Sequence, residues 1–204
     1  MKNLLNSFLI IFLIAILIVA FSNCSKDNNP VNINLSNDII PLAKGNSWKY
    51  YTTLYDTLGN VYNEFNITNQ IIGDSTIDNT KWFFFDRNAR YFSIFTDGYH
   101  TFDKYEIDSL MNQLVYKYPC SNGDKYNQWE VINVDTQLTV SAGTFSCILY
   151  SKRLQTLSGF EYLDIFIKPG IGILKSIDYS LTSSNRVFKY KVSDLLEYKI
   201  GNLK

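Results

Sequence analysis

One histidine, three cysteines and 19 acidic side chains are the material for chemistry in this 204-residue chain. A nucleophilic triad or a zinc centre asks for histidine, and zinc needs three or four converging donors. His100, in TDGYHTFDKY, stands alone beside a turn and reads as a surface residue. Asp97, Asp103 and Glu106 are near it in sequence, but no DxDxDG loop organises them for calcium. Two carboxylates for glycoside cleavage can come from distant strands, so an envelope glycan hydrolase stays open although spacing selects no pair. Pro169-Gly170-Ile171-Gly172 lacks the GxGxxG spacing and the following helix of a phosphate loop, and reads as a turn or bulge. This inventory assigns no catalytic residue, no metal ligand and no cofactor.

The cysteines are more informative. Cys24 follows Phe8 to Phe21, 14 uninterrupted apolar residues behind the single positive charge of Lys2. A membrane-spanning helix needs roughly 20 such residues, so the run fits the apolar core of a signal peptide better. After it, SKDNNPVNINLSND has no aromatic residue and the composition of a tether. The residues alone leave open an uncleaved anchor in which Cys24 is an unmodified thiol.

The same stretch resembles the lipobox of bacterial lipoproteins, with Phe21 and Asn23 where the family usually has Leu and a small residue. That resemblance implies a signal peptide at 1–23, lipid attachment at Cys24 with palmitate-like acyl chains, and a flexible tether at 24–38. Ser25 after the cysteine implies the outer membrane, on either face. One acyl chain binds a bilayer marginally and several bind firmly, at about 0.8 kcal/mol per buried methylene. The expected partner is therefore the membrane, through the N-terminal lipid.

Loss of residues 1–23 removes one of 19 basic residues and none of the 19 acidic ones, so the mature net charge is about −1. No basic field for nucleic acid exists. With Cys24 acylated, Cys120 and Cys147 are left, and in an oxidising compartment they form a possible disulfide. The competing expectation for Cys147, inside the alternation TFSCILY, is a small buried hydrophobe. A second cluster is KWFFFD at 81–86. With a period of two, Trp82 and Phe84 share one face while Phe83 and Phe85 share the other. Both faces are apolar, which predicts a central strand covered on both sides or a strand with Trp82 and Phe84 facing a ligand.

The elements that hold these residues are strands. Aromatics make up 16% of the chain, including 15 Tyr and 14 Phe, a bias toward β structure. Alternation marks EFNITNQI, YLDIFI and GILKSIDYSL, with turn signals at LGN 58–60, GDSTIDNT 73–80, DRNA 86–89, TDG 96–98, SAG 141–143, LSG 157–159 and SSN 183–185. Loops this short join antiparallel strands. YEIDSLMNQLVY allows a short helix but favours a turn followed by a strand, and VSDLLEYKIG is ambiguous between helix and strand. PLAKGNSW at 41–48 echoes PCSNGDKY at 119–126: Pro, then Gly four residues on, then Asn or Asp, then an aromatic three after the Gly. Each reads as a turn that launches a strand beginning with Trp48 or Tyr126.

PLAKGNSWKY, YPCSNGDKY, VSAGTFSC and IKPGIGILKS, taken in order, are similar to elements of a family of uncharacterised β-rich bacterial lipoproteins and secreted proteins. The resemblance spans most of residues 41–176 and implies a curved sheet or partly closed barrel, without catalytic residues. The expectation is a mainly β protein: one antiparallel domain over 39–204, a curved sheet or partly open β-barrel. Its function is a non-catalytic binding or structural role, toward a protein or an apolar small molecule carried in the sheet.

Overall fold

Period-two alternation gives strands with distinguishable faces, and the computed structural model describes twelve strands and no helix within residues 38–87, 90–103, 112–156 and 159–201. In chain order they are β1 (Ser47–Tyr55), β2 (Val61–Ile77), β3 (Thr80–Phe85), β4 (Arg90–Phe95), β5 (Gly98–Asp103), β6 (Gln113–Lys117), β7 (Lys125–Tyr126), β8 (Trp129–Val140), β9 (Gly143–Thr156), β10 (Gly159–Lys168), β11 (Gly172–Leu181) and β12 (Val187–Lys199). The signal segment, Cys24 and the tether up to residue 37 lie outside the described residues, as do 88–89 of DRNA, 157–158 of LSG and 104–111 of the helix-or-strand segment.

Every pairing is antiparallel, and each strand but β7 lies beside its predecessor in the order β6-β5-β4-β3-β2-β1-β12-β11-β10-β9-β8-β7. Because β1 pairs with β12, the sheet curls into a nearly closed barrel with one unsealed seam, between β6 and β7. The expected antiparallel, partly open barrel is therefore the fold. Closure removes the sheet edges that otherwise invite aggregation, everywhere except at that seam.

Local chemistry explains most boundaries. The β2–β3 reversal uses only Asp78 and Asn79, with φ of 50° and 61°. Two central residues at positive φ make the turn whose twist matches a hairpin. GDSTIDNT is thus mostly strand, and the eight-residue turn expected there is corrected to a two-residue one. VSDLLEYKIG is strand as far as Lys199, and Gln113–Lys117 is strand as favoured.

The first six residues of β2 are all exposed, although Phe65 and its neighbours alternate. The register explains this: β3 pairs with β2 only from Ile71 onward, so Val61–Asn69 lies beyond the β3 ladder. In β11 the fully buried side chain is Leu174, whereas Ile173 is only half-buried. A register shift between Phe166 and Ile167 on the neighbouring strand rephases the inward face there.

The core is completed by the segment ahead of β1. Ile39, Ile40 and Leu42 are buried and join Trp48, Leu174 and Leu195 in one cluster. Two contacts fasten this segment. The Gly170 amide donates to the Asp38 carbonyl at 2.8 Å. Asn46, 0% exposed, donates from Nδ2 to the Pro41 carbonyl and accepts from the Gly201 amide on Oδ1, both at 2.9 Å. One end of the barrel, where β1 begins and β12 finishes, is filled in this way.

Candidate ligand cavity and the seam beside it

Inward residues of adjacent strands stand opposite one another, so aromatic side chains placed at every second position meet across the ladder. Here Phe83 faces Phe92, Phe92 faces Thr101, and Tyr99 faces Tyr116. The rings follow in a chain around the inner wall. Trp48 meets Phe85 at 6.0 Å, Phe85 meets Phe92 edge-on at 5.2 Å, Phe92 stacks on Tyr99 at 5.4 Å and Tyr99 on Tyr116 at 5.8 Å. Tyr116 then reaches across the seam to Trp129 at 5.4 Å and Tyr150 at 5.5 Å. Such contacts lie within the separation at which aromatic pairs add stability beyond area burial.

Against this wall lies a cavity of about 320 Å³. Its apolar lining includes Ile40, Phe85, Phe92, Val115 and Ile173, with Tyr99 and Tyr116 beside them. Its polar lining is Asn69, Arg87, Arg90 and Thr101, and among the described residues no carboxylate takes part. A volume in this range, with apolar rings and polar groups sharing the lining, is at the small end of ligand sites.

The phenols behind the wall stay protonated. Burial, with the neighbouring Tyr116 second, pushes Tyr50 far above the ordinary tyrosine range, and burial likewise raises Tyr99, Tyr116 and Tyr150. A neutral phenol is a donor. Tyr50 donates to the Ile173 carbonyl at 3.0 Å, and Tyr150 to the Lys117 carbonyl at 2.7 Å.

The second of these bonds crosses the seam, where side chains replace the missing ladder. Tyr126 donates to the Val115 carbonyl at 3.3 Å, Asn127 Nδ2 donates to the Leu114 carbonyl at 3.2 Å, and Lys117 pairs with Asp124 at 2.9 Å. Backbone acceptors of β6 are thereby satisfied without a neighbouring strand. The seam is stitched by side chains.

The residues singled out in the sequence fall into different places. Trp82 and Phe84 sit on the face of β3 opposite to Phe85, outside the 320 Å³ cavity. Trp82 is 5% exposed, packs edge-on against Phe102 at 4.6 Å, and borders a smaller pocket of about 190 Å³ with Phe95 and Asn112. Phe84 meets Tyr91 at 5.6 Å, and its ring lies over Gly73, where a Cβ would stand 2.5 Å from Cζ. β3 is an internal strand between β2 and β4, with Trp82 buried and Phe83, Phe84 and Phe85 half-buried, and Phe85 is the member of KWFFFD that reaches the larger cavity.

His100 is not a surface residue. It is 7% exposed, with Nε2 2.8 Å from Asp97 Oδ1, Nδ1 2.6 Å from Asn112 Oδ1, and the Phe95 ring at 4.6 Å. The run Tyr99-His100-Thr101-Phe102 is buried on both faces, which a lone histidine beside a turn did not suggest. With both ring nitrogens engaged, it orients the β4–β5 turn. Among the described residues no three His, Cys, Asp or Glu side chains converge as metal ligands.

Cys120 and Cys147 are free thiols. Cys120 lies 3.5 Å from the Tyr150 hydroxyl, whereas Cys147 donates to the Thr136 carbonyl at 3.3 Å. Residues three apart in a regular strand face opposite sides, so Cys147 points away from the side of β9 that carries Tyr150. Burial pushes the Cys147 thiol up to about 11 and raises Cys120 as well. Cys24 lies outside the described residues.

No protein-family model matches this chain. No curated protein matches it. Among solved structures it is similar to a Parabacteroides distasonis protein provisionally called a lipoprotein, at 14% identity and a TM-score of 0.48, covering 80% of this chain and 99% of that one. It is also similar to a Bacteroides fragilis protein provisionally called exported, with a YmcC-like fold, at 14% identity and a TM-score of 0.48, covering 81% of this chain and 100% of that one.

Proposed function

We propose that this chain is a lipid-anchored binding protein of the bacterial envelope, held at the outer membrane through Cys24 and non-catalytic, whose barrel carries a small apolar ligand. The observation that carries the binding reading is the cavity of about 320 Å³ walled by Phe85, Phe92, Tyr99 and Tyr116. Apolar surface removed from water is worth roughly 25 cal/mol per Å², so the aromatic part of this mixed lining supplies the driving force for an apolar group. A hydrolase is less well supported, because among the described residues no carboxylate lines the cavity and Asp74, Asp124, Asp178, Asp194 and Glu197 are each paired with a lysine.

Two measurements test the parts separately. Mass spectrometry of the chain recovered from a native envelope is expected to give an acylated Cys24 at the amino terminus, and an intact Met1 with an unmodified thiol defeats the anchor. For the cavity, the apolar fluorophore N-phenyl-1-naphthylamine is expected to bind saturably at one site per chain. Val115→Trp, which fills the cavity from β6, is expected to abolish that binding. Equal binding by a folded Val115→Trp variant would place the ligand elsewhere.

A further inference from the structure

Resting on that binding reading, we infer that the cavity takes a single-chain amphiphile with an anionic head, its hydrocarbon against Phe92 and Tyr116 and its head against Arg87 and Arg90. The lining grades in polarity from depth to rim. Phe92, Tyr99 and Tyr116 are 8%, 4% and 7% exposed, whereas Arg87 and Arg90 are exposed and stand where β3 has ended and β4 begins. These two guanidinium groups are the charged part of the lining. A planar fork of donors matches the paired oxygens of a carboxylate or phosphate and is poorly matched to a neutral alcohol.

Asp86 Oδ2 is 3.9 Å from Arg87 Nε, the long limit of an ion pair, while its Oδ1 accepts the Gln70 amide at 3.2 Å. An incoming anion competes with Asp86 for Arg87 at a solvated rim. Size limits the tail. The volume of about 320 Å³ is roughly ten times the ~30 Å³ share of one water molecule, which suits a chain of about ten heavy atoms.

The test is calorimetric titration of the full chain in phospholipid nanodiscs, with empty nanodiscs subtracted, using decanoate, decyl phosphate and decanol. At least one of the two anions is expected to bind at one site per chain about tenfold or more tighter than decanol, the effect of one hydrogen bond to a charged group. Arg87→Gln, at a side chain that is 67% exposed and peripheral to the core, is expected to remove most of that preference while leaving decanol unchanged. Preference for decanoate over decyl phosphate, or the reverse, identifies the head. Decanol binding as tightly as both anions, or an Arg87→Gln, Arg90→Gln double variant with an intact preference, overturns the anionic head and leaves the binding reading standing. Absence of binding by all three, with N-phenyl-1-naphthylamine also failing to bind, overturns both.

Discussion

Two turns in this molecule share a backbone and differ in what they launch. At the first, Gly45 has a φ of 90°, its amide donates to the Ile71 carbonyl at 2.8 Å, and the Ile71 amide donates back to Asn46 at 2.9 Å. At the second, Gly123 has a φ of 83°, its amide donates to the Val131 carbonyl at 2.7 Å, and the Val131 amide donates back to Asp124 at 2.9 Å. Ile71 and Val131 are both 0% exposed. PLAKGNSW and PCSNGDKY are thus one structural device used twice, and the left-handed glycine is what each requires. The strand after the first turn runs nine residues and pairs with β12, but the strand after the second runs two. Asn127 and Gln128, at φ of 43° and 72°, reverse the chain at once. That early reversal is why the barrel is sealed at β1 and open at β7. Closure here is a matter of strand length, not of turn chemistry.

The comparison can be broken most severely at the aromatic each turn delivers. Trp48 is 3% exposed, and its Nε1 donates to the Ile171 carbonyl at 2.6 Å. Trp48→Ala is expected to cost about 3–5 kcal/mol in urea unfolding. Tyr126→Ala, at a half-buried ring whose hydroxyl reaches Val115, is expected to cost about 1–2 kcal/mol. Equal losses would mean that the sealed and open sides are equally integral to the fold.

The residue after each glycine gives a smaller effect. Asn46→Ala leaves the Pro41 carbonyl and Gly201 amide without their buried partner and is expected to cost about 1–3 kcal/mol. At the seam, Tyr150→Phe deletes one bond to Lys117, with an expected loss of about 1 kcal/mol. Hydrogen exchange in that variant should rise around β6 and stay unchanged in β1 and β12; a uniform rise would show that the seam is not a separate opening unit.

The smallest and most local effect is a pH dependence confined to the open side. The Lys117 ammonium, then the Ser121 amide, hold Asp124 below the usual carboxylate range. A depressed carboxylate contributes stability that is present above its unfolded value of about 3.9 and lost as pH falls through the folded one. Protection of the Ser121 amide and of β7, taken relative to the intrinsic exchange rate at each pH, is therefore expected to fall below about pH 4, and Asp124→Asn to remove that pH dependence. No such step is expected at the first turn, where the uncharged Asn46 occupies the matching place.

Several parts of this architecture were legible locally. KWFFFD carries apolar residues on both faces, and β3 lies inside the sheet between β2 and β4, with Trp82 buried on one face and Phe83 and Phe85 half-buried on the other. Gly and Pro near both echoed motifs marked real turns, since positive φ excludes most other residues. His100 and GDSTIDNT misled for opposite reasons. A polar run of turn-forming residues continued as strand because its hydrogen-bond partner in β3 was worth more than local preference. The histidine was buried by near neighbours, Phe95 and Asp97 of its own hairpin and Asn112 just ahead of β6, which close around it only once β4, β5 and β6 have paired. The cavity wall had a partial signal in KWFFFD, but Phe85 was on the face not singled out.

The sequence by itself determined a chain of antiparallel strands behind an apolar N-terminal run, since alternation, turn residues and composition each act over a few residues. Tertiary structure alone decided that β1 meets β12, that the gap falls between β6 and β7, and that Phe85, Phe92, Tyr99 and Tyr116 form one wall. Those outcomes depend on register and strand length summed around the barrel, and a period of two is the same on either face of a sheet until its partners are in place.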